Sequence, residues 1–261
     1  MIVRRRPVAF LAAAMLAVAL PAGSAHAAMH GGASADAAPA APEEAPALTT
    51  PLPVATASAN GITISSNGAV LLNRRATVSG SAPARLRRVA IQQLTAKRGW
   101  QQVATATISA KGSFKAAWRP RAVGAQQLRA VAGTVAARAA DEAPQVDVTV
   151  YRPGVASWYG PASPKKPGKT ACGVPLTTTT LGVAHKTLRC GTQVQLYYRG
   201  ATIVVPVIDR GPFITGRTWD LTKATAEALG DVERGLITVG ALPLNGKPRL
   251  KTPYDAPAIR R

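Results

Sequence analysis

The sequence predicts an all-β protein, a β-sandwich followed by a small closed β-barrel that carries one short helix. Two observations lead to that expectation. Between about residues 58 and 151 the chain holds seven short runs of β-type residues, several alternating apolar with polar as half-buried antiparallel strands do. From about 152 to 244 the texture changes to shorter strand-like runs, Gly- and Pro-rich turns and a single helical signal.

The N-terminus reads as an export signal. Arg4, Arg5 and Arg6 form a positive start, and residues 8–20 are apolar and uncharged. That run is shorter than the ~20 residues a membrane span needs. Ala25-His26-Ala27 supplies the small-x-small pattern of a processing site. Residues 1–27 are therefore expected to be a signal peptide, with an uncleaved anchor as the alternative. The mature protein would be secreted or wall-associated, with no stable membrane span. Residues 28–57 are rich in Ala, Pro and Ser and poor in bulky apolar side chains, the composition of a disordered linker.

The strand runs of the first domain, 58–151, fall at 62–65, 76–80, 89–94, 102–108, 113–118, 127–132 and 146–151. Lys111-Gly112 separates two of them as a tight turn. In pattern this domain resembles the immunoglobulin-like modules of bacterial surface proteins. It shows no catalytic constellation; Asp141, Glu142 and Asp147 read as solvated charges.

The second domain, 152–244, opens with Ser157-Trp158-Tyr159-Gly160 and a Pro/Gly/Lys loop at 161–169. Strands are expected at 193–199 and 202–208 around a turn at Gly200. A helix is expected at 222–229, with Thr222 as N-cap and Gly230 as stop, and a closing strand at 236–239. Residues 245–261 form a basic tail. Cys172 and Cys190 are the only two cysteines, and in an oxidising compartment an isolated pair is most simply a disulfide. With one histidine, His185, outside the signal and linker, the ligand set is too thin for a zinc site. No metal or other cofactor is expected.

The chain holds 32 Lys and Arg against 12 Asp and Glu, a formal charge of +20. Such a surplus concerns partners and solubility, not fold. For an exported protein it points to wall polymers bearing phosphate or carboxylate rather than to nucleic acid.

Four segments in order carry a family resemblance: Ala156 to Gly160; Thr170-Ala171-Cys172-Gly173; Ala184-His185-Lys186-Thr187-Leu188 with Gly191-Thr192; and Asp209-Arg210-Gly211-Pro212-Phe213. Arg217 and Asp220-Leu221 follow, leading into the helix. This succession resembles the rare lipoprotein A family and, more distantly, expansin barrels. The resemblance implies a six-stranded double-psi barrel acting on peptidoglycan glycan strands, with lytic transglycosylase activity in the active members. Its chemistry needs one carboxyl to protonate the leaving oxygen and a base for the C6 hydroxyl, and one residue can serve in turn.

On that basis Asp209, at the end of an apolar strand, is the first catalytic candidate, unless it pairs with Arg210 or caps the turn. Asp220 either carries chemistry or binds free amides at the helix start. His185 orients a carboxylate, binds sugar or ties loops together. Tyr159, Trp158, Arg210 and Arg217 are candidates for substrate binding. The aromatic residues near these motifs, Trp158, Tyr159, Phe213 and Trp219, either stack on sugar faces or fill the core; core is the expectation for most of them, and Tyr159 is the one expected in the groove. The active transglycosylases carry a glutamate 11 residues before the family histidine; here that position is Val174. The alternatives are therefore a non-catalytic, expansin-like glycan-binding module, or a docking partner for wall hydrolases.

Overall fold

A computed structural model describes residues 49–133, 142–163, 167–230 and 232–244. The expected signal, residues 28–48 of the linker, Asp141 and the basic tail lie outside the described residues. Among those described, no helix is long and apolar enough to cross a membrane.

The strands in chain order are β1 Thr50–Pro51, β2 Val54–Ala59, β3 Ile62–Asn67, β4 Ala69–Leu71, β5 Ala76–Ser81, β6 Arg88–Thr95, β7 Gly99–Thr107, β8 Ser113–Trp118 and β9 Gly124–Ala132. They continue with β10 Gln145–Tyr159, β11 Gly168–Lys169, β12 Pro175–Leu176, β13 Val183–Ala184, β14 Gln193–Tyr198, β15 Ala201–Asp209, β16 Trp219–Thr222 and β17 Ile237–Pro243. The helix α1 is Lys223–Ala228.

In the first half, β2, β3, β5 and β8 form one sheet, and β7, β6, β9, β10 and β4 pair in another. Side chains from both sheets share one core, among them Ile64, Val78, Phe114 and Trp118 from the first and Ile91, Leu128, Val148 and Val150 from the second. The alternation read from the sequence is realised directly: β8, SFKAAW, is exposed and buried by turns along its whole length.

The second half closes into a six-stranded barrel. β10 pairs β16 in parallel, β16 pairs β13, β13 pairs β15 in parallel, β15 pairs β14, β14 pairs β17, and β17 returns to β10. Closure removes the free edges that would otherwise invite pairing with another chain. Val194, Leu196, Val205, Val207, Leu221 and Val239 fill the core. The β14–β15 hairpin turns at Arg199 and Gly200, both at positive φ (48° and 94°), as a two-residue turn matched to strand twist requires. The helix starts as expected: Thr222 Oγ1 accepts the Thr225 amide, and Gly230 follows it at φ 73°.

Two expectations are corrected. Residues 50–57 are not linker: β1 pairs β15, the Leu52 amide donates to the Gly200 carbonyl at 2.9 Å, and β2 begins at Val54. Backbone pairing holds this stretch although it is poor in bulky apolar side chains, and Ala55 and Ala57 pack against the first core. Nor do residues 146–151 and the Ser157 segment form separate strands. They are one strand, β10, which passes from the first core into the barrel. Pro153-Gly154 reads as a break, but the strand runs through it by changing partners, from β9 to β17 and β16. The junction is packed tightly. Tyr151 is buried and its ring stacks on Tyr197 at 5.3 Å. Gly240 of β17 comes so near that an added Cβ would lie 2.6 Å from the Tyr151 Cβ.

Candidate functional site

Barrel register assembles the site. Ser157 of β10 lies opposite Asp220 of β16, Asp220 opposite Ala184 of β13, and Ala184 opposite Asp209 of β15. Residues directly opposed in a pleated sheet point to the same face. Ser157, Asp220, Ala184 and Asp209 are thus register partners in one row across four neighbouring strands, with a register shift between Val183 and Ala184 where the row reaches β15, and Tyr159 feels the charge of both carboxylates.

Each carboxylate is held. Asp209 Oδ1 accepts the Ala171 and Arg210 amides, both at 2.8 Å, so Asp209 does hold the turn, the structural role set against a catalytic one above. Asp220 Oδ1 accepts the Ser157 hydroxyl, which in turn accepts Arg217 NH1 at 3.1 Å. The Tyr159 hydroxyl is buried with no partner at hydrogen-bond geometry. Burial pushes its pKa up strongly, and the nearby negative charges of Asp209 and Asp220 add to the shift. Tyr159 therefore stays a neutral donor beside the two carboxylates.

The disulfide Cys172–Cys190 is present and secures the Asp209 end of the row. Ala171 belongs to a turn in which the Thr170 and Val174 backbones bond each other, and the Cys172 amide donates to the Ile208 carbonyl. Val174 lies in this same turn. Replacing both cysteines by serine is expected to lower stability by ~3 kcal/mol, the chain-entropy value for a loop of this size. Thermal melting of the double variant against the oxidised protein measures it; an unchanged melting temperature would show that the bridge carries no such constraint.

The structure brings Asp209, Asp220, Tyr159 and Arg217 together, while the side chains of His185, Trp158 and Arg210 turn to other contacts; the His185 and Arg210 backbone amides still bond Asp209. The His185 ring packs on Trp219 at 4.5 Å between centroids, and Trp219 alternates with Asp220 along β16. His185 Nδ1 accepts the Thr187 and Leu188 amides, which leaves the ring proton to Nε2. Burial lowers its pKa, and Arg210 and Lys186 lower it further. It lines a cavity of about 200 Å³ with Arg152, Pro153, Thr218, Trp219 and Leu242. Trp158 donates to the Val232 carbonyl at 3.0 Å and packs against the barrel core. The Arg210 guanidinium bonds the His185 and Asp209 carbonyls, so its tie to the Asp209 carboxylate is through the backbone amide alone.

Sequence reasoning overlooks one residue and misplaces another. Ser157 stands two before Tyr159, so period-2 alternation places both on one face. Phe213 is expected in the core, yet it is 84% exposed; it lies in a Gly/Pro-bounded loop where no alternation directs it inward.

Residues 152–241 match the family described as Lytic transglycolase. A stretch of 79 residues is 42% identical to the probable endolytic peptidoglycan transglycosylase RlpA of Synechocystis sp.. Residues 152–241 form an RlpA-like double-psi barrel. The RlpA-like barrel is also similar to the RlpA proteins of Aquifex aeolicus, 38% identical over 89 residues, and Helicobacter pylori strain 26695, 34% identical over 113 residues. These matches cover 30%, 33% and 42% of this chain, and 24%, 38% and 35% of the three relatives. The solved Streptomyces papain inhibitor (SPI) matches over 34% of this chain and 91% of its own, at 28% identity and a TM-score of 0.28.

Proposed function

We propose that this is an exported cell-wall protein that acts on peptidoglycan glycan strands at the Asp209–Asp220 row, by transglycosylase chemistry. The observation that carries the proposal is the pair of held carboxylates, set on strands either side of Ala184 in an RlpA-like barrel. Asp209 protonates the glycosidic oxygen as its bond to the anomeric carbon breaks. The C6 hydroxyl of the same sugar then bonds that carbon and returns its proton to the carboxylate, so no water is consumed. Asp220, fixed through Ser157, stabilises positive character at the anomeric carbon. Arg217 donates a hydrogen bond to the sugar, and Tyr159, its hydroxyl buried, lies behind the carboxylates as a neutral neighbour.

The test is incubation with purified sacculi and mass analysis of the soluble products. Anhydro-ended muropeptides support the reading, and reducing ends make the protein a hydrolase instead. Val174 favours a second reading, a barrel that binds glycan without cutting it. Sedimentation with sacculi and no product would support that one.

The basic surplus extends the proposal to anionic wall polymers as partners. Cosedimentation with sacculi is expected to weaken steadily from low to molar salt, because the screening length falls from ~10 Å at 0.1 M to ~3 Å at 1 M. Retention independent of salt would assign the adhesion to sugar contacts alone.

A further inference from the structure

Asp209 ends β15 and Asp220 lies in β16, so the loop between these strands borders the row. That loop carries Phe213 and Ile214, 84% and 55% exposed. Every other described aromatic side chain is buried or half-buried. Single exposed apolar residues are ordinary on protein surfaces; this phenyl ring is set apart by its place. An added Cβ on Gly211 would lie 3.8 Å from Phe213 Cε2 and 3.7 Å from Asp220 Oδ2. The ring edge and the carboxylate thus flank one glycine and are separated by no more than those two distances together. Gly211 holds φ at 136°, a conformation that side chains rarely adopt, so the gap stays open.

We infer that Phe213 is a sugar-stacking platform that positions one pyranose of the glycan beside Asp220, an inference that rests on the glycan-acting reading above. A pyranose presents a face of C–H groups matched in size to a phenyl ring, and its hydroxyls and linkages lie at its edge. Such a face packs against the negative face of an aromatic ring. Stacked on Phe213, the sugar buries apolar area that is otherwise left in water. Its edge then meets Asp220 and the Arg217 that reaches Ser157. Phe213 is accordingly a positioning residue: it sets which sugar stands at the carboxylates and moves no proton.

The experiment uses the full-length protein and purified, peptide-stripped glycan strands in about 1 M salt, where the basic surplus is screened. Phe213→Ala is expected to weaken binding about tenfold, Phe213→Leu to recover part of it, and Phe213→Trp to match or exceed the wild type. Melting should be unchanged in all three, because the side chain packs against so little. If the wild type binds and Phe213→Ala binds equally, the platform is overturned while the glycan reading stands. Equal binding by the Leu and wild-type proteins also overturns it, since the aromatic face would then be irrelevant. No glycan binding by the wild type overturns both. If Phe213→Ala instead loses binding only to phosphatidylglycerol vesicles, the loop is a membrane contact and the platform is overturned.

Discussion

Asp209→Asn is expected to abolish release of anhydro-ended muropeptides from sacculi while leaving melting and wall binding intact. Asparagine keeps the shape, and its carbonyl oxygen can still accept the Ala171 and Arg210 amides that fix Oδ1. It cannot deliver a proton, and general acid–base participation is worth roughly 10²–10⁴-fold. The effect should fall on turnover, with binding to sacculi within about twofold of wild type. Asp220→Asn serves as the contrast. Its side chain can still accept the Ser157 hydroxyl, so a smaller loss is expected. Full activity in Asp209→Asn, with melting unchanged, would remove Asp209 from the mechanism.

If the absent glutamate is what limits this barrel, Val174→Glu is expected to create or raise release of the same product, by up to the two to four orders of magnitude that a missing acid–base group costs; if Asp209 alone serves as acid and base, release should stay at the wild-type level. The turn that holds Val174 also holds Ala171, whose amide is bonded to Asp209. The turn itself should survive. Its bonds run between the Val174 backbone and Thr170, and the Val174 side chain is half-buried. Mass analysis of digests from wild type and variant decides the outcome. No product from either, with sedimentation retained, would leave the binding module as the better reading.

Asp209 stands out in the amino-acid sequence because it ends an apolar strand ahead of Gly-Pro and sits within a family motif. The helix is legible because Thr222 and Gly230 are local signals, and β8 because its alternation is unbroken. The row is not legible. Its members are at 157, 184, 209 and 220, and the register between strands so distant in sequence is settled by barrel closure, not by any local pattern. His185 shows the same limit. It directly follows Ala184, which lies in the row, yet its ring belongs with Trp219. Strand β10 reads as two pieces because Pro153 and Gly154 ordinarily punctuate strands; they are accommodated where the strand changes neighbours. The short runs of the first half announce β-structure, but such a pattern specifies no connectivity.

That unbroken strand also governs how load and information travel through the molecule. A hinge at residue 152 would have let the two halves swing independently. With β10 laddered to β9 on one side of the boundary and to β17 and β16 on the other, tension applied to the first half is taken in shear along a continuous run of backbone. It is delivered to the barrel at Ser157, one hydrogen bond from Asp220. Cutting the chain at Arg152 would leave each half its own pairings, the first to β9 and the barrel to β17 and β16, and would remove only the continuous backbone between them.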